Sequence, residues 1–281
     1  MASTKPRVRP KSLFLVRYIC KSFFETMNFI DSHAHIILEA FDTDRDKVIQ
    51  EAFSNGITHI VQSCDNLPEV EKNLILANKY KNLYSSIGIH PHEAKDWDKL
   101  SKDTIINLTK NEKIVAIGET GLDFYYNYSP KDIQLLVFKE HIKIANEVSL
   151  PLIIHTRDAF KETIEILRDL KPNAGGVLHC YTGAFNTAKE ALDLGFYISW
   201  SGILTFKGAG DLRAVAKEIS LANTLIETDC PFLTPIPHRG KRNEPQYVRF
   251  VAEELAKIHN VSVEEVGKIT SENAKKLFGI T

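Results

Sequence analysis

The chain has 281 residues, 43% of them hydrophobic and 25% charged, an ordinary globular composition that excludes a collagen-like, low-complexity or disordered chain. A formal charge of −1 excludes a protein that grips long duplexes through a broad basic face. The ends differ, however: residues 1–26 carry Lys5, Arg7, Arg9, Lys11, Arg17 and Lys21 against Glu25 alone. Removing those six bases and one acid from totals of 35 and 36 leaves 29 basic and 35 acidic residues, a net of −6 for the remainder. That balance leaves room only for a local phosphate clamp. Cys20, Cys64, Cys180 and Cys230 form no C-x-x-C pair, so neither a disulfide framework nor a zinc finger is expected, and a cytoplasmic location follows. No apolar run reaches the roughly 18 residues of a membrane helix.

In chain order, the basic stretch 1–26 comes first and lacks either secondary-structure period. Three readings stay open: an upstream extension with Met27 as the working start, a targeting peptide, or a short membrane-surface patch at Leu13-Phe14-Leu15-Val16. From residue 27 onward short apolar runs alternate with amphipathic stretches. Strands are predicted at 29–32, 58–63, 84–89, 114–118, 152–154, 176–178, 196–200 and 224–227. Helical spacing links Ile133, Leu136, Val137, Ile144 and Val148, with Ser129 as N-cap and Pro130 in the first turn. Gly56 follows a helix ending near Asn55, where a C-terminal glycine is expected. Eight alternating units in one domain, 27–281, predict parallel strands, right-handed crossovers and a closed (β/α)8 TIM barrel. The rival open sheet would need a G-x-G-x-x-G phosphate loop after an early strand, and the sequence has none.

Polar residues gather where these strands end. His33 and His35 sit two apart at the end of the first, on one side by alternation. Glu119 follows the fourth strand, His155 the fifth, His179 the sixth and Asp229 the eighth. Any one of them alone reads equally well as a hydrogen-bonded core residue. Six at the carboxyl ends of five strands are harder to explain that way, because each is costly to bury and that face carries catalysis in such barrels. Four imidazoles and two carboxylates suit one or two divalent first-row ions, and a carboxylate such as Glu119 can bridge two. Asp229 is placed to ligate one ion and to take a proton from its water. Cys180 and Cys230, next to His179 and Asp229, are expected to turn away into the core.

The ordered motifs D-S-H-A-H, G-I-H-P-H, G-E-T-G-L-D, I-I-H-T-R-D-A, L-H-C-Y-T-G, S-G-I-L-T-F-K, E-T-D-C-P and N-A-K-K-L-F-G-I resemble the TatD deoxyribonucleases of the amidohydrolase-like superfamily across residues 28–281. The resemblance implies a metal-dependent hydrolase that trims DNA from the 3′ end, with two divalent ions (Mg, Mn or Zn) and single-stranded DNA ends as its partner. It implies that His33, His35 and Asp229 hold one ion, His155 and His179 the other, and Glu119 bridges them. His90 would line the substrate site. Beside it Arg157 offers a fork to phosphate, Lys207 a point charge, Arg239 with Lys241 and Arg242 a backbone clamp, and Tyr125 a face for a base. No membrane and no obligate protein partner are expected. The rivals are a related barrel acting on a small ester, lactone or amide, and a non-catalytic barrel that binds nucleic acid and keeps the metal for stability. RNA or another ester as substrate also stays open.

Overall fold

The computed structural model of the protein describes residues 28–126 and 128–281; the basic stretch 1–26 lies outside the described residues. Eight strands follow one another: β1 (Phe29–Ala34), β2 (Ile57–Gln62), β3 (Leu83–Ile87), β4 (Ile114–Asp123), β5 (Leu152–Arg157), β6 (Gly176–Leu178), β7 (Phe196–Trp200) and β8 (Thr224–Ile226). Helices α1 (Arg45–Ser54), α2 (Leu67–Lys79), α3 (Ser101–Leu108), α4 (Lys131–Val148), α5 (Phe160–Leu170), α6 (Phe185–Asp193) and α7 (Gly210–Glu218) occupy the crossovers, and α8 (Val248–His259) and α9 (Val263–Phe278) follow β8. Every strand pairs in parallel with the next, in chain order. The last seam is closed just past the strand ends. Asp229 N–H donates to the His33 carbonyl (2.9 Å) and His35 N–H to the Cys230 carbonyl (2.8 Å). Below them the Asp31 carboxylate accepts both the Thr228 amide (2.8 Å) and the Thr228 hydroxyl (2.6 Å). This is the (β/α)8 barrel that the alternation predicts.

Side chains inside the barrel change character from bottom to top. Ile30, Val61, Val115, Ile153, Val177 and Leu225 form an inner apolar layer, capped from below by Phe278 and Ile280 at the end of α9. Their neighbours Phe29, Ile60, Leu152, Ile154 and Leu178 face outward into the main core against the helices, as the two-residue strand period requires. Two residues further up lie Ser32, Ser63, Ser86 and Ser199, all buried and paired across the interior as Ser32–Ser199 (3.4 Å) and Ser63–Ser86 (3.1 Å). Small hydroxyl side chains leave space above them, and the imidazoles and carboxylates fill it.

Three strands, β1, β4 and β5, run further than expected. The sequence predicts β4 to stop at residue 118, but it continues through Gly-Glu-Thr-Gly-Leu-Asp to Asp123. The register explains how: Ile117 faces Leu152 while Thr120 faces Ile154, so three residues of β4 span two of β5. The extra residue makes a bulge at Gly118-Glu119, a device that re-aims a side chain. A similar slip separates Asp31 and Ala34 on β1, around His33. Gly121, at φ +139°, brings β4 against β5: a Cβ there would lie 2.0 Å from the His155 carbonyl oxygen. At φ +89°, Gly56 ends α1 as predicted. Ser129 does not cap α4. Pro130 holds that position, and the Ser129 hydroxyl instead joins the loop after β3, donating to the His92 carbonyl and accepting from Lys95 N–H. Among the described residues no helix is long and apolar enough to cross a membrane.

Candidate metal centre

All six strand-end residues converge at the upper end of the barrel. His33 and His35 leave β1 with their Nε2 atoms 3.0 Å apart. Glu119, at the β4 bulge, sends Oε2 to within 3.0 Å of His33 Nε2 and 3.4 Å of His35 Nε2. Asp229 Oδ1 stands 3.7 and 3.4 Å from the same two nitrogens. The other oxygen of Glu119 faces the other way: Oε1 lies 2.9 Å from His179 Nε2, 3.0 Å from His155 Nδ1 and 3.3 Å from His90 Nε2. One buried carboxylate thus offers an oxygen to each of two donor sets.

Each spacing suits a cation. Donors about 2.1 Å from one ion are about 3.0 Å apart at right angles and about 3.4 Å apart in a tetrahedron; the observed separations fall in or near that range. Glu119 Oε2 is wholly buried, and no partner aims a hydrogen bond at it, as expected of an atom whose neighbours share a focus with it. Three overlapping groups of such donors can hold an ion: His33 with His179 and Asp229, His33 with His35 and Glu119, and His90 with Glu119 and His155. The residues therefore fit divalent metal, each set mixing imidazole nitrogen with carboxylate oxygen.

Further carboxylates stand behind the imidazoles. Asp65 Oδ1 is 3.5 Å from His35 Nδ1, Asp123 Oδ2 is 3.0 Å from His155 Nε2, and Glu227 Oε1 is 3.2 Å from His179 Nδ1. Asp123 and Glu227 each bond the outer ring nitrogen of their histidine, Asp65 stands within ion-pair range of His35, and an ion at the centre would find the inner ring nitrogens facing it. Asp65 is itself held by the start of α2, where Glu69 accepts its backbone N–H (3.0 Å) while Asn66 caps Glu69 N–H (3.2 Å). His90 is different: its Nδ1 accepts the His92 backbone N–H (3.1 Å), so Nε2 carries the proton and donates toward Glu119.

The electrostatics follow from this crowding. Burial opposes charge on His179, but Glu119 and Glu227 outweigh it and raise its pKa well above the usual value. His35 rises likewise, against its burial, beside Asp65, Asp229 and Glu119; so does His155, beside Asp123 and Glu119. Burial would push Glu119 up, yet His179, His33 and His90 hold it well below the carboxylate range. Asp229 is lowered against its burial by His35, His33 and His179. The field favours positive charge at the centre. His90, more buried than compensated, is lowered.

The centre forms the floor of an open cavity of about 630 Å³ whose walls include Tyr126, Arg157, Cys180, Thr182, Ile203 and Phe232. Arg157 sits against two rings that stand nearly perpendicular to each other, its Cζ 4.0 Å from the Tyr125 centroid and 4.8 Å from that of Tyr126. Lys207 and Arg239 are exposed and outside the cavity lining; Arg239 stacks on Phe206 at 3.9 Å. The Arg242 fork is taken by Asp44 (2.8 Å to each oxygen) and by Glu244. Cys180 is a correction. Because β6 ends at Leu178 and Cys180 turns to φ +44°, strand alternation does not reach it. It lines the cavity, 3.2 Å from the Ser201 hydroxyl. Cys230 is buried as expected. Sequence reasoning passed over Asp65, Asp123 and Glu227; the signal for Glu227 was a second acid two residues before Asp229 in a strand due to be buried on both faces. A second cavity of about 510 Å³ beside Asn66, Asp98 and Thr104 collects none of the histidines.

Comparison with known proteins decides the family. The TatD-related DNase family model matches residues 30–279. The chain belongs to that family. It is 45% identical over 251 residues to YabD of Bacillus subtilis, named an uncharacterized metal-dependent hydrolase, covering 89% of this chain and 98% of that protein. With the 3′-5′ ssDNA/RNA exonuclease TatD of Salmonella typhimurium it shares 34% identity over 89% of this chain and 98% of that one. In structure it resembles the TatD homologue YjjV of Escherichia coli, with a TM-score of 0.86, 26% identity, and coverage of 91% and 100%.

Proposed function

We propose that this TatD-family protein is a divalent-metal-dependent hydrolase that removes nucleotides from the 3′ end of single-stranded DNA. The observation that carries the reading is Glu119, whose two oxygens serve two separate donor sets at the cavity floor. His33, His35, Asp229 and Glu119 would hold one ion, and His155, His179 and Glu119 the other. Bound there, the ions would polarise the phosphodiester and lower the pKa of a coordinated water. Asp229 then has the position to accept that water's proton, and its lowered pKa keeps it ionised until it does. Arg157 offers its guanidinium to the phosphate while the rings of Tyr125 and Tyr126 hold it in place. Tyr125, 56% exposed, and Tyr128, 58% exposed, present faces on which unpaired bases stack. His90 Nε2–H faces the floor and lines the approach. The exonuclease name of the Salmonella relative supports the same substrate class.

The test is digestion of 3′-labelled and 5′-labelled single strands by chelated protein with Mg²⁺, Mn²⁺ or Zn²⁺ restored separately. Stepwise shortening from the 3′ end, only when metal returns, is the expected result. Folded protein that cuts neither DNA nor RNA with any ion would reject the reading in favour of a small ester, lactone or amide substrate.

A further inference from the structure

Four hydrogen-bond donors converge on one carboxylate behind the centre. Asp123, the last residue of β4 and almost wholly buried, accepts His155 Nε2 (3.0 Å) and His92 Nε2 (2.9 Å) on Oδ2. On Oδ1 it accepts the backbone N–H groups of Tyr125 (3.1 Å) and Tyr126 (2.9 Å). Its own backbone is clamped from behind, where buried Gln134 on α4 accepts Asp123 N–H (2.8 Å) and donates to the Asp123 carbonyl (3.1 Å). The two oxygens therefore serve different parts of the site. One holds an imidazole of the floor and an imidazole of the β3 loop; the other builds the turn from which Tyr125 and Tyr126 support Arg157.

We infer that Asp123 is a positioning residue that fixes the His155 tautomer and joins the metal floor to the aromatic rim. The inference rests on the two-ion reading above. Both ring nitrogens of His155 face a carboxylate at 3.0 Å, Nε2 toward Asp123 and Nδ1 toward Glu119 Oε1; when an ion takes the place of the proton on Nδ1, Asp123 keeps the one on Nε2. Only a carboxylate meets all four donors, because each side of the group must accept. An asparagine must turn its NH₂ toward one side. The two backbone amides are fixed donors, whereas an imidazole can move its proton to the other ring nitrogen. The amide oxygen therefore settles on Tyr125 and Tyr126, the NH₂ faces the imidazoles, and His155 answers by carrying its proton on Nδ1. A protonated Nδ1 cannot ligate.

The experiment is calorimetric Mn²⁺ titration of chelated wild-type protein and Asp123→Asn, with histidine tautomers read from ¹⁵N chemical shifts of the zinc-loaded proteins and KM and kcat measured on a single strand. The first equivalent should bind both proteins alike, while the second weakens about 10–100-fold in the variant. His155 should change from the Nε2–H to the Nδ1–H form, and kcat should fall with KM nearly constant because the rim turn is kept. Equal binding of both equivalents with an unchanged tautomer would overturn the inference. A wild type that binds no second equivalent would instead reject the two-ion reading. Should the variant not fold, the zinc-loaded wild type still decides: His155 without a proton on Nε2 contradicts the role given to Asp123.

Discussion

At the floor of the cavity each donor comes from a strand end and most have a partner fixing the second ring nitrogen, whereas at the rim the side chains lean on one another. His35, His155 and His179 are backed by Asp65, Asp123 and Glu227, and Glu119 is set by a bulge between two hydrogen-bonded strands. Arg157, by contrast, leans on the rings of Tyr125 and Tyr126, and Tyr126 stacks on Tyr128 with centroids 5.3 Å apart. Phe232 projects from the opposite wall, 53% exposed. The difference teaches where precision is needed. Reacting groups tolerate little displacement, while a surface that takes successive bases of any sequence gains from adaptable stacking.

Substitutions should separate the two regions. Asp229→Asn keeps the shape of the floor but removes a charged donor and proton acceptor, and kcat should drop on the order of 10³-fold with little change in KM. Retained turnover would remove Asp229 from the chemistry. At the rim, Arg157→Ala should raise KM about 10–100-fold, the worth of one charge-assisted fork to phosphate, and leave kcat within a few fold. A fall in kcat without a change in KM would move Arg157 from binding to catalysis.

A third substitution tests how the floor is supported from behind. His141 on α4 is buried, bonds the Val137 carbonyl through Nδ1 and accepts Ile89 N–H at Nε2 (3.0 Å), one residue before His90. Burial lowers its pKa to about 4, against about 6.5 for an unfolded chain. Between those values the unfolded state binds the proton and the folded state does not. The stability it contributes is thus fully present above pH 6.5 and is lost as pH falls toward 4, a change of about 3 kcal/mol. Urea denaturation at pH 7 and pH 4.5 should show this extra acid sensitivity in the wild type and not in His141→Gln. Parallel pH profiles would refute it.

How far the molecule can be read from its sequence follows the same division. Strand-end residues were legible because the period-two pattern fixes which residues close a strand, and the barrel fixes where strand ends go. Thus His33, His35, Glu119, His155, His179 and Asp229 meet although up to 196 positions separate them. Loops lack such a period. Nothing in the sequence shows that Arg242 is spent on Asp44, that Arg239 stacks on Phe206, or that Cys180 turns into the cavity once β6 has ended. The β4 extension was missed because two glycines and a polar pair resemble a loop, while the structure uses them for a bulge and a close strand contact. The buried serine layer is legible only once the strands share an interior.

The central claim is that Glu119 serves two ions at once, and anomalous diffraction from manganese-soaked crystals tests it most directly. The account predicts two anomalous peaks, one against His33, His35, Asp229 and Glu119 Oε2, the other against His155, His179 and Glu119 Oε1. A single peak, or peaks that do not touch Glu119, would contradict it.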